Sequence, residues 1–110
     1  MTQALAGIKE GAGTVMDNTV IHFGSGMHGG NHDGLKLPIV LIGSGGGVLK
    51  QNASMVLNGD SPARDGSAST STGARLANLH LTLTQKVFGC PSTSFGGPGA
   101  SSGIIPDILV

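Results

Sequence analysis

His28, His32 and Asp33 fall within one short stretch of this 110-residue chain, and Ser25, Gly26 and Asn31 share it. Imidazole and carboxylate are the donor types preferred by zinc and related ions, and a Gly-rich backbone can fold them onto one centre. Asn31 and Ser25 add hydrogen-bonding groups beside them. No helix fixes the directions of these side chains, so the same residues also suit a solvated polar loop.

The elements that must position this stretch are legible around it. Residues 18–23 (Asn-Thr-Val-Ile-His-Phe) are rich in β-branched types and read as a strand. Residues 24–34 then form a loop in which five of eleven residues are Gly. A loop after a strand is where an α/β sheet carries its site. Residues 37–42 (Leu-Pro-Ile-Val-Leu-Ile) are continuously apolar, which predicts a strand buried on both faces, as in a parallel sheet. Gly-Ser-Gly-Gly-Gly at 43–47 turns the chain, and 48–50 and 54–57 read as two short strands.

At the ends the pattern is helical. Ala4, Leu5 and Ile8 make an apolar face over residues 1–9, a short helix or the end of a longer one, closed by Gly11-Ala12-Gly13. Over 75–88, Leu79, Leu81 and Leu83 alternate as in a strand, while Leu76, Leu79, Leu83 and Val87 follow a helical stripe. Its length, with Gly89 and Pro91 as a stop, favours helix. Residues 58–73 and 89–103 read as flexible Gly/Ser-rich loops, and 104–110 as an apolar tail that packs back or frays.

Composition narrows the function. Six basic and six acidic residues leave no net charge and no basic run, which argues against nucleic acid as a partner. The three phenylalanines are few for stacking single strands. The longest apolar run is far short of a membrane span, and no export signal opens the chain as given. Its compartment is therefore undecided: cytoplasmic on this sequence alone. The lone Cys90 cannot close an internal disulfide and reads as a small, partly buried apolar residue. His22 reads as a core or interface histidine, and His80 as partly exposed.

Several motifs compete and fall short. Gly24-Ser25-Gly26-Met27-His28-Gly29 fits G-x-G-x-x-G, but the next residues, Gly30-Asn31-His32-Asp33-Gly34, do not open a helix. Residues 43–47 lack the Lys-Ser/Thr ending of a phosphate loop. Neither Ser25, between Phe23 and Met27, nor Ser44, between Ile42 and Gly46, has the two flanking glycines of a nucleophile elbow. Gly59-Asp60-Ser61 is similar to one block of the GDSL-type esterases, without that family's later Asp-x-x-His block.

A combination of motifs points to a family. Residues 10–20 (Glu-Gly-Ala-Gly-Thr-Val-Met-Asp-Asn-Thr-Val), Gly24-Ser25-Gly26-Met27, Gly30-Asn31-His32 and the run 37–43 with Gly45-Gly46-Gly47 resemble the C-terminal part of the DUF1552 proteins. Residues 76–83 and Ser101-Ser102-Gly103 resemble the late helix and final short motif of that family. DUF1552 proteins are large bacterial proteins of uncharacterised function. They are similar to the DUF1501 group and, distantly, to the alkaline phosphatase/sulfatase superfamily. The resemblance implies a single small domain over 1–110 that is the last part of a larger fold. It also implies a hydrolase-like module acting on a phosphate, sulfate or acyl ester, with exported relatives. His32 would stand for a late metal ligand or act as acid/base, with His28 and Asp33 supporting a divalent ion (Zn or Ca). Ser25, Asn31 and Gly26 would face the substrate. Where the superfamily carries an Asp-His pair after the strand, this chain has Gly24-Ser25-Gly26-Met27.

The expected fold is therefore α/β: two or three mostly parallel strands, flanking helices and long Gly-rich loops, part of an alkaline-phosphatase-like sheet. Strands 18–23 and 37–42 would be neighbours. Two other functions fit the residues. One is a non-catalytic fragment or interaction module that forms a homo-oligomer or packs against another chain, since aromatics are scarce and the first helix is short. The other is a metal-independent esterase or lactonase using Ser25 or Ser61 with a nearby histidine.

Overall fold

Helix α1 (Thr2–Gly7) opens the chain, and it stops earlier than its apolar spacing predicts. Ile8 leaves helical geometry, and its N–H closes the last turn on the Leu5 carbonyl. This computed structural model describes residues 1–26, 37–54, 57 and 75–110. The chain divides into two compact units, Met1–Gln51 and Asn52–Val110, and each is described by itself.

In the first unit, β1 (Lys9–Glu10) folds back on β2 (Gly13–Thr14) as a small antiparallel hairpin, with Gly11 at a positive φ of 57° in its turn. Residues 11–13 thus turn a hairpin rather than end a helix. Val15–Asn18 follow as a 3-10 helix. Its start is held by Asp17, whose carboxylate accepts from the Thr14 N–H (2.7 Å) and the Thr14 hydroxyl (2.9 Å). The Thr19 hydroxyl donates back to the Val15 carbonyl at 2.6 Å. These local bonds keep Asn18 out of the strand predicted at 18–23. The observed strand, β3, is Ile21–Gly24.

Strand β3 pairs with β4 (Ile39–Ile42), as expected of neighbours, but the pairing is antiparallel. Ile21 sits opposite Ile42, His22 opposite Leu41, Phe23 opposite Val40 and Gly24 opposite Ile39. Among the described residues both sheets are two-stranded and antiparallel, which makes a small mixed α/β fold. The expected parallel, alkaline-phosphatase-like sheet is not supported among the described residues. The reason is physical. Parallel neighbours need a crossover, usually a helix, and the Gly-rich polar stretch between these strands has no helical period. The apolar run is not buried on both faces either: Ile39 and Leu41 are half-buried, while Val40 and Ile42 are exposed.

After β4, Gly43 takes a φ of 102°, and a Cβ there would overlap the Thr19 carbonyl oxygen. Only glycine fits this approach. No strand forms at 48–50, because the Leu49 N–H returns to the Ser44 carbonyl at 3.0 Å and closes a turn. The other short strand expected, 54–57, includes residues outside those described, and the loop expected at 58–73 lies entirely outside them.

The second unit is built on α2 (Leu76–Thr82), which continues without a break into a π-helix over Leu83–Val87. The helix predicted over 75–88 is therefore present. Leu79, Leu81 and Leu83 are all buried, so the strand-like alternation reflects a helix covered on more than one side. Ile105 and Ile108, from the final segment and its 3-10 turn (Pro106–Ile108), are the other buried apolar side chains among the described residues of this unit.

Candidate functional site: the β3–β4 hairpin

Ser25 and Gly26 continue directly from β3, and both are exposed. The Ser25 N–H donates to the Pro38 carbonyl at 3.3 Å, which carries the pairing one step past Gly24 and Ile39. Gly24 permits this closure, since a Cβ there would meet Ile39 Cδ1 at 2.6 Å and the Pro38 oxygen at 3.2 Å. The hairpin therefore brings together the two ends of the segment that holds His28, Asn31, His32 and Asp33. Those four residues lie outside the described residues, as does Ser61. Among the described residues no three His, Cys, Asp or Glu side chains gather as a metal would require.

The hairpin does assemble a surface that no single motif announces. Directly opposed residues of an antiparallel pair share a face, and so do residues two apart along one strand. Ile21, Phe23, Val40 and Ile42 therefore occupy one face, and His22, Gly24, Ile39 and Leu41 the other. On the first face Phe23 is 72% exposed, Val40 49% and Ile42 37%. It carries no charged or polar side chain. His22, read from sequence as a core or interface residue, is exposed on the opposite face.

The second Gly-rich segment, at 43–47, is occupied by its own chain. The Gly46 N–H donates to the Asp17 carbonyl (2.8 Å), the Gly45 N–H to the Thr19 carbonyl (3.3 Å) and the Gly47 N–H to Ser44 Oγ (3.2 Å). The Ser44 hydroxyl donates to the Asp17 carbonyl at 2.6 Å, and Gln51 Nε2 donates to the Gly43 carbonyl at 3.0 Å. The Gly45 and Gly46 amides hold the end of the 3-10 helix where a phosphate loop would offer them to an anion. The Asp17 carboxyl lies below its ordinary range, first because of the Thr14 N–H bond, then the Thr14 hydroxyl, with a smaller pull from Lys9.

Sequence reasoning passed over one buried polar pair. Asn78 (1% exposed) and Thr82 (0%) lie one helical turn apart in the second unit. Asn78 accepts from the Ser102 N–H (2.8 Å) and donates to the Ser102 hydroxyl (3.1 Å). Thr82 Oγ1 donates to the Asn78 carbonyl (2.7 Å) and accepts from the Ile105 N–H (2.8 Å). The signal was available: two polar side chains at i and i+4 amid Leu79, Leu81 and Leu83. Cys90, expected to be partly buried, is exposed.

Comparison of the chain with protein-family models, curated proteins and solved structures finds no significant match. No helix among the described residues is long and apolar enough to cross a membrane.

Proposed function

We propose that the chain is a non-catalytic interaction module that self-associates through the Ile21–Phe23–Val40–Ile42 face. The observation that carries this reading is the exposure of Phe23 and Val40 side by side in one cross-strand pair. A two-stranded hairpin is marginal alone and gains stability from anything that covers its apolar face. A second copy suits the face because the chain has no net charge and the face has none, so nothing repels an identical partner. The face offers on the order of 300 Å² per copy, below what a stable dimer buries, so association is weak and depends on concentration. A concentration series by NMR tests this. Amide shifts should move at 21–24 and 39–42 as the protein is concentrated. Constant spectra, or changes centred elsewhere, would contradict the reading.

A second reading rests on the hairpin closure at Ser25. The resemblance to the C-terminal part of DUF1552 proteins suggests an ester hydrolase with Ser25, His32 and Asp33 in the chemistry. Asn31 and Gly26 would meet the substrate, and His28, His32 and Asp33 would hold a divalent ion. Support comes from the exposed Ser25 at the point where the ends of the His28-to-Asp33 segment meet. Turnover of nitrophenyl phosphate, sulfate and acyl esters decides it. Chelator-sensitive activity lost in His32→Ala favours a metallohydrolase, and chelator-insensitive activity lost in Ser25→Ala favours an esterase. Absence of turnover and of bound metal leaves the interaction module.

A further inference from the structure

After the π-helix, the chain leaves α2 at Gly89, which takes a φ of 65°, and residues 89–99 are all exposed. This stretch has internal bonds of its own. The Phe95 N–H donates to Ser101 Oγ (2.8 Å), the Ala100 N–H to the Gly97 carbonyl (3.0 Å) and the Ser92 hydroxyl to the Ser94 carbonyl (2.7 Å). It is also fastened to the helix at four places, the first being the Cys90 N–H, which donates to the Thr84 carbonyl (3.0 Å). Gln85 Nε2 donates to the Ser92 carbonyl (2.6 Å), the Phe95 ring stacks on His80 (centroids 5.0 Å apart, planes at 25°) and Arg75 Nη1 donates to the Gly99 carbonyl (2.8 Å). Beyond it, the chain is anchored differently, by the part-buried Asn78–Ser102 bonds, by the buried Thr82–Ile105 bond and by the buried Ile105 and Ile108 side chains.

We infer that residues 90–101 are a strap that opens as one unit, pivoting at Gly89 and just before Ser102, while α2 and the final segment stay in place. The four fastenings lie at exposed or half-buried positions, where a hydrogen bond stabilises least, whereas the Thr82–Ile105 bond and the Ile105 and Ile108 side chains are buried. A surface loop held by its own side chains moves as a body rather than fraying residue by residue. Opening uncovers the α2 surface around His80, next to Leu76, its neighbour one helical turn earlier, which is already exposed. The device therefore alternately covers and presents the His80 ring beside the exposed Leu76 on the second unit.

Amide hydrogen exchange on the full chain, read by NMR, tests this with Gln85→Ala and Arg75→Ala. Each substitution removes a fastening at one end of the strap. Exchange at Phe95 and Ala100 should rise together, roughly three- to tenfold in either variant, because the strap opens as a whole. The Ile105 amide, bonded to buried Thr82, should keep its wild-type rate and so report that the unit remains folded. Equal acceleration at Ile105 would overturn the inference, as would a response confined to the residues beside each substitution, or no response in either variant.

Discussion

Replacing Thr82 by Val removes one hydroxyl from a fully buried position and leaves the side-chain volume nearly unchanged. That hydroxyl is the acceptor for the Ile105 N–H at 2.8 Å, and Ile105 is itself buried. The Asn78 carbonyl loses only an added donor, since a helical carbonyl already has its backbone partner. The main cost is therefore a buried N–H without an acceptor, about 1–3 kcal/mol, and we expect about 2 kcal/mol. For a domain of this size that lowers the melting midpoint by on the order of 10 °C. Thr82→Ser separates the causes. It keeps the hydroxyl and deletes a buried methyl, which costs about 1 kcal/mol. Urea unfolding of both variants, with the Ile105 amide followed by hydrogen exchange, is the assay. A Val variant within about 0.5 kcal/mol of wild type, or a Ser variant as damaged as the Val variant, would refute the reasoning.

Two further outcomes concern the first unit. Gly43→Ala should destabilise it by more than about 2 kcal/mol, seen in thermal melts, because the added Cβ meets the Thr19 carbonyl at a φ that disfavours any side chain. The Asp17 carboxyl should titrate below the usual 3.8, and Thr14→Val should return it part of the way, because the Thr14 N–H bond, the larger cause, survives. Because the folded-state value is depressed, the stability Asp17 contributes is complete above 3.8 and is lost as pH falls through the lower, folded-state midpoint. Carbon-detected NMR titration of the side-chain carboxyl reads both.

The helix over 76–87 was legible because a long periodic segment ended by Gly89 and Pro91 leaves little choice. Its alternating leucines looked ambiguous only while one buried face was assumed. The β3–β4 neighbourhood was legible from β-branched and apolar runs, but its direction was not. An unbroken run such as 37–42 signals burial, and only the accessibility of Val40 and Ile42 reveals that one face stays open. The start of β3 was misplaced because a carboxylate three residues from a threonine, Asp17 with Thr14, forms a local cap that periodicity does not register. Of the candidate site, Ser25 and Gly26 lie where a strand-end loop predicts, while His28, Asn31, His32 and Asp33 fall outside the described residues. The exposed face escaped sequence reading because it depends on register, which pairs Phe23 with Val40 across two strands.

The central claim is that this face joins copies of the chain, and sedimentation velocity over a concentration range from about 10 µM to about 1 mM measures it most directly. The account predicts a weight-average mass that climbs from monomer toward dimer for wild type and stays monomeric for Phe23→Ser, with the same helical circular dichroism in both. A wild-type chain that remains monomeric at the highest concentration, or a Phe23→Ser variant that associates as strongly as wild type, would contradict it.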